Sequence, residues 1–191
     1  MFDRNRFFVG PARPRRGLGY AGLCALLFIP VSASVQAQIP GWRLTWNLKG
    51  GTGVTYHLHE RNSDEGIVLF APELIRSLGD HWEYTVEGHI SRLTDPAGYL
   101  AGLLPIGLRY FPWTTSVHPF VSLGAGFCWT DVTNIPELSR RFNFIVNGDL
   151  GIRWDESWQV SARFLHVSNG GTVHPNLGLN VLVLLVGWRS R

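Results

Sequence analysis

Between Arg141 and Trp154, apolar and polar side chains alternate along the whole segment. Phe142, Phe144, Val146, Leu150, Ile152 and Trp154 share one parity with Gly148. Arg141, Asn143, Asn147, Asp149 and Arg153 share the other, with Ile145 and Gly151. Successive side chains of a β-strand point to opposite faces, so this pattern predicts a strand that is apolar on one side and charged on the other. Its length suits a tilted strand that crosses a bilayer and extends beyond it, and the polar face suits a hydrated or hydrogen-bonded lumen.

The same pattern recurs. Trp82, Tyr84, Val86 and Ile90 oppose Glu83, Thr85, Glu87, His89 and Ser91. Val121, Leu123, Ala125, Phe127 and Trp129 oppose Ser122, Gly124, Gly126 and Cys128, while Val54, Tyr56 and Leu58 oppose Thr55, His57 and His59. Trp82, Tyr84, Trp129, Trp154 and Trp158 sit near predicted strand ends, where a membrane-interface girdle is needed. Segments 66–76 and 99–111 alternate less well and contain Pro72 and Pro105, a residue that removes a ladder donor and marks edges, strand starts or bulges. The spacing predicts eight strands over 44–59, 66–76, 81–93, 99–112, 118–131, 141–154, 157–169 and 176–188. The expected architecture is an all-β, eight-stranded antiparallel transmembrane β-barrel with both termini periplasmic. Ser77–Asp80, Trp113–Val117 and Asp155–Glu156 then become periplasmic turns, and 60–65, 94–98, 132–140 and 170–175 the outside connections.

Composition changes this picture at the N-terminus. Arg4, Arg6, Arg13, Arg15 and Arg16 precede a short apolar run from Leu18 to Val31, and Val35-Gln36-Ala37 offers the small residues of a cleavage site. Residues 1–37 therefore read as a cleaved secretory signal peptide and 38–191 as the barrel domain. The chain has 17 basic and 14 acidic residues. The leader holds five Arg and one Asp, so the remainder carries twelve basic and thirteen acidic residues. The high isoelectric point belongs to the leader, and no nucleic-acid partner follows from it. Cys128 is the single thiol left after cleavage, which excludes an intrachain disulfide.

The candidate chemistry lies on the last hairpin. Along strand seven, Gln159, Ser161 and Arg163 take the lumen phase, while Trp158, Val160, Ala162 and Phe164 face lipid. Continuing that phase, His166 and Ser168 also point outward. Two positions apart on one face, their Cα atoms lie about 6–7 Å apart. A histidine base and a serine nucleophile can be brought within reach at that spacing. At a barrel rim the same two residues also fit a wet interface, and polar groups facing lipid are costly unless they serve a purpose or reach the interface.

The stretch Phe164-Leu165-His166-Val167-Ser168-Asn169-Gly170-Gly171, followed by Pro175-Asn176-Leu177-Gly178-Leu179-Asn180, resembles the C-terminal hairpin of the lipid A 3-O-deacylase (PagL) family. The shared pattern is His-x-Ser-Asn-x-Gly and then Pro-Asn-x-Gly. An N-terminal Gly50-Gly51-Thr52-Gly53 run adds to it. The resemblance implies an outer-membrane ester hydrolase that removes an ester-linked acyl chain from lipid A in the outer leaflet and needs no cofactor. It implies Ser168 as nucleophile and His166 as its base, with Asn169, Asn176 and the backbone of Gly170 and Gly171 as oxyanion-hole candidates. One departure stands out: where the family places the Glu that orients the histidine, this chain has Asn180. On a hairpin turning near Val173, position 180 lies close to opposite 166 on the same face. An Asn carbonyl can accept the Nδ1 proton, as in Cys-His-Asn enzymes, though without the charge.

Other groups read more plainly. His57, His59 and His89 fall on lumen faces and are assigned to hydrogen bonding there, with no metal. Glu83, Glu87, Asp149, Arg153 and Arg163 are expected to pair inside the barrel. Gly124 and Gly126 lie within a strand and make no phosphate cradle. A non-catalytic small barrel, adhesin or structural, is the competing reading. A pore is disfavoured because side chains fill an eight-stranded interior. The expected partners are lipid A or lipopolysaccharide, the membrane itself, and the barrel-assembly machinery during biogenesis.

Overall fold

A computed structural model describes residues 44–56, 66–94, 97–113, 115–132, 138, 141–174 and 177–190. The predicted leader, His57, His59 and Asn176 lie outside the described residues. Eight strands follow one another: β1 (Leu44–Tyr56), β2 (Gly66–Ser77), β3 (Trp82–Thr94), β4 (Ala97–Tyr110), β5 (Val117–Thr130), β6 (Phe142–Trp154), β7 (Trp158–Ser168) and β8 (Leu179–Arg189). Each pairs antiparallel with its sequence neighbour, and β1 closes on β8 from Asn47↔Arg189 to Tyr56↔Asn180. Closure leaves no sheet edge, which is what lets a β-structure stand in lipid.

Most predicted strand ends shift by one or two residues, and two differences matter for the connections. β3 and β4 pair as far as Thr94↔Ala97, so their connection is shorter than 94–98. β8 starts at Leu179, three residues later than expected. The turn at Asp155 (φ 56°) and Glu156 (φ 55°) puts two consecutive residues in the left-handed region. Trp154 pairs with Trp158, so Asp155, Glu156 and Ser157 form a three-residue hairpin connection, one residue longer than the predicted Asp155–Glu156 turn.

The prolines behave differently from one another. Pro72 sits in register within β2, opposite Leu48 of β1, and Gly88 on β3 gives it room. Pro105 coincides with a register shift between Leu103 and Ile106 against β5, and Tyr84 Oη donates to its carbonyl. A bulge is the usual place for a strand residue with no N–H.

The lumen divides into two layers. Toward the end bearing the termini it is ionic. Lys49 bridges Glu73 (3.0 Å) and Glu87, Arg109 joins Glu73 (2.8 Å) and Glu83 (3.0 Å), and Arg153 meets Glu83 (2.8 Å). Arg163 binds both Asp149 (2.6 Å) and Glu87. The pairing expected among Glu83, Glu87, Asp149, Arg153 and Arg163 is formed, with Lys49, Glu73, Arg109 and Arg189 added to it. His89 is buried there with its Nε2 3.1 Å from Ser91 Oγ. Among the described residues, no group of three or more His, Cys, Asp or Glu is placed to hold a metal ion.

Toward the opposite end the interior is apolar. Ile67, Leu69, Leu93, Leu100, Leu165 and Val181 pack there with Val132 and Leu138 of the β5–β6 connection. The polar lumen expected from β6 therefore holds for half of the barrel. An eight-stranded interior is just wide enough to be filled by side chains, so it need not be wet throughout. This also explains the weaker alternation of β2 and β4, whose inward residues are apolar at that end.

Glu87 holds two buried cations, so its replacement has a large expected effect. Glu87→Gln is expected to lower the unfolding free energy by about 3–5 kcal/mol, because Lys49 and Arg163 each lose a buried counter-charge. Urea unfolding of the refolded barrel in phospholipid vesicles measures it. A change below about 1 kcal/mol would show that the ion network adds little to stability.

Candidate active site

The site is built where β7 and β8 leave the barrel wall. In β7 the residues from Trp158 to Phe164 that face outward are exposed, and His166 and Ser168 continue that phase while half-buried. The β7–β8 register sets His166 opposite Asn180, and His166 Nδ1 lies 2.8 Å from Asn180 Oδ1. Asn180 is 7% exposed although its strand parity points it outward. The row continues across the wall, with Val146 opposite His166 on β6 and Tyr56 opposite Asn180 on β1. Among the described residues no hydrogen bond joins His166 to Ser168. Such contacts are often long before substrate tightens them.

Gly178 was not among the residues singled out for chemistry. Its φ is +72°, and a Cβ there would stand 2.5 Å from His166 Cε1 and 3.2 Å from Nε2. The glycine backbone thus lies against one side of the imidazole while Asn180 engages Nδ1. The Gly of Pro-Asn-x-Gly was the available signal for it, and the contact itself depends on register.

The turn after Ser168 commits several of the proposed oxyanion donors. Asn169 is 1% exposed. Its Oδ1 accepts from Gly171 N (2.9 Å) and its Nδ2 donates to Val173 O (3.0 Å). Thr172 Oγ1 donates to the Asn169 carbonyl (2.8 Å). Asn commonly closes turns in this way. The Asn169 amide and the Gly171 N–H therefore hold the hairpin together. Gly170 (φ +66°) rests on Phe144, whose ring atoms would stand 2.9 Å from an added Cβ. Phe144 pairs with Ser168, which places an exposed aromatic beside the serine.

Residues 32–189 match the family described as Lipid A 3-O-deacylase (PagL). The chain belongs to that family. No curated protein matches it in sequence. Among solved structures, the outer membrane enzyme PagL aligns with a TM-score of 0.64 at 15% identity, covering 74% of this chain and 97% of that one. The N-terminal β-barrel domain of OprF from Pseudomonas aeruginosa aligns at 0.51 and 15% identity, covering 78% and 99%. Ail, the attachment invasion locus protein of Yersinia pestis, aligns at 0.50 and 9% identity, covering 77% and 98%. At these identities the structural likenesses show the fold, a closed antiparallel barrel of the outer-membrane kind. In this chain His166 and Ser168 stand two residues apart on β7, and Asn180 is the hydrogen-bonded partner of His166 Nδ1.

Proposed function

We propose that this protein is an outer-membrane esterase that hydrolyses an ester-linked acyl chain of lipid A, or of a related glycolipid, by a Ser-His-Asn mechanism. The observation that carries the reading is the 2.8 Å contact between His166 Nδ1 and Asn180 Oδ1, made on the outward face beside Ser168 in a chain of this family. With Nδ1 donating to the Asn180 carbonyl, the Nε2 lone pair is left free to act as base.

Ser168 Oγ attacks the ester carbonyl and its proton passes to His166 Nε2. The tetrahedral oxyanion is met by backbone N–H, with Gly170 as the candidate among the described turn residues. Collapse breaks the acyl–oxygen bond, and the imidazolium returns the proton to the departing sugar hydroxyl. Water, deprotonated by His166, then cleaves the acyl-enzyme to release the fatty acid and restore Ser168.

In this reading residues 1–37 are a cleaved export leader, and the assembly machinery inserts the barrel with its termini periplasmic. β7 then runs outward and carries Ser168 to the outer leaflet, where lipid A is found. The exposed Phe144, Val146 and Phe164 around the site suit a substrate that stays in the bilayer.

Refolded protein incubated with lipid A is expected to release free fatty acid, and a fluorophosphonate probe is expected to label the peptide that contains Ser168. No release from lipid A or from para-nitrophenyl acyl esters overturns the esterase reading and leaves a non-catalytic barrel. Gly178→Ala is expected to lower kcat about 10²-fold by displacing the imidazole, with KM little changed. An unaltered kcat in a folded Gly178→Ala barrel would show that the glycine does not position His166.

A further inference from the structure

The outward face of β6 reads Phe142, Phe144, Val146, Gly148, Leu150, Ile152 and Trp154, so one position lacks a side chain. Glycine within a strand weakens it and often marks a place where something approaches closely. The inward strand glycines have a packing reason. A Cβ on Gly51, Gly53 or Gly126 would stand 1.8–2.0 Å from a backbone carbonyl oxygen of the neighbouring strand. Gly88 faces outward but lies against Pro72 at 3.3 Å.

Gly148 has no such reason. Its φ lies outside the left-handed region, and an added Cβ would meet Leu123 Cδ2 at 3.5 Å and Ser122 O at 3.9 Å, which is ordinary contact. Phe164 pairs with Gly148 across β6–β7, yet none of its atoms comes within 4 Å of that Cβ position. No aromatic atom comes within 4 Å of the added Cβ. The flanks stay open, with Leu123 73% and Leu150 67% exposed.

The position of the gap relative to the site gives it meaning. Ser168 pairs with Phe144, His166 with Val146 and Phe164 with Gly148, so the gap lies four residues down the wall and one strand over from the serine. At strand spacings that is about 14 Å. An extended hydrocarbon chain covers that distance in about eleven carbon–carbon bonds. A chain whose ester carbonyl sits at Ser168 Oγ, and which runs parallel to the bilayer chains, meets the gap at about its twelfth carbon.

We propose that the notch at Gly148, walled by Leu123, Leu150 and Phe164, seats the distal part of the substrate's acyl chain and sets the preferred chain length. This inference rests on the esterase reading and adds to it a specificity-determining residue. Each fully buried methylene is worth about fourfold in binding, so chains that reach the notch gain over those that stop short.

The test uses detergent-solubilised, refolded full-length barrel and para-nitrophenyl butyrate, octanoate and dodecanoate. Wild type is expected to favour dodecanoate over butyrate in kcat/KM. Gly148→Leu fills the notch and is expected to lower that ratio about tenfold. Leu123→Ala widens it and is expected to move the preference to longer chains. Gly50→Val is the control. Gly50 also faces outward, with only Leu69 O at 3.7 Å from an added Cβ, and it lies six residues along β1 from Tyr56, the partner of Asn180. Its ratio is expected to match wild type. Turnover with an unchanged ratio in both Gly148→Leu and Leu123→Ala overturns the notch and leaves the esterase standing. An equal fall in Gly50→Val shows a general surface effect and also overturns it. No turnover of any ester by wild type overturns the esterase reading, and this inference with it. Heat-modifiable gel mobility verifies that each variant is folded.

Discussion

Alanine at Ser168, or at His166, is expected to lower fatty acid release from lipid A by roughly 10⁴-fold or more. Without Ser168 no acyl-enzyme forms. Without His166 the serine hydroxyl keeps its proton and remains a weak nucleophile. The two act as one unit, so the double variant is expected to be no slower than either single one, with a residue of catalysis left by oxyanion donors and substrate binding. Both side chains lie on the outer wall, away from the ion network and the apolar lumen. Stability is therefore expected to be unaffected, and heat-modifiable mobility separates loss of chemistry from loss of fold. Fatty acid release within about tenfold of wild type in either variant would sink the Ser-His assignment.

The second large effect is expected at Asn180. Asn180→Leu removes the acceptor 2.8 Å from His166 Nδ1, which frees the ring to rotate and to take the wrong tautomer. In a serine protease, an Asp-to-Asn change that leaves the wrong tautomer costs about 10⁴ in kcat. A loss of about 10² or more in kcat, with KM nearly constant, is expected for Asn180→Leu. Asn180→Glu puts a carboxylate beside His166 Nδ1, where it stabilises the imidazolium formed during attack. It is expected to raise kcat about tenfold. Lower turnover in Asn180→Glu than in wild type would show that the site is shaped around the neutral amide and would remove the argument for a missing charge.

The outward faces of the strands were legible because lipid is a uniform solvent. Every outward position of β6 and most of those of β3 and β5 meet the same hydrocarbon, so period-two alternation survives in the sequence. The same regularity gave His166 and Ser168 their face, and counting across the hairpin put Asn180 opposite His166. Those inferences need only strand parity and one turn.

The lumen was less legible, since its character changes along the barrel axis. Leu165, Val167, Val181 and Val183 take the inward parity that β6 fills with Asn147 and Asp149, so a rule drawn from β6 does not carry to β8. Lys49 and Glu73 do not stand out in the sequence, and the alternation of β2 around Glu73 is weak. Their partners lie up to 38 residues away along the chain, and only register and closure decide which charges meet.

By itself the sequence determined the class of fold, the number of strands, which residues face lipid, and the hairpin that carries the candidate chemistry. These follow from side-chain period and local turn residues, which act within one strand or between neighbours. The tertiary structure alone decided the two-layered lumen, the bulge at Pro105, the commitment of the Asn169 amide to its turn, the contact of Gly178 with the imidazole and the open notch at Gly148. Each depends on which atoms a closed, staggered sheet brings to within a few ångströms, and that distance is set by register rather than by pattern.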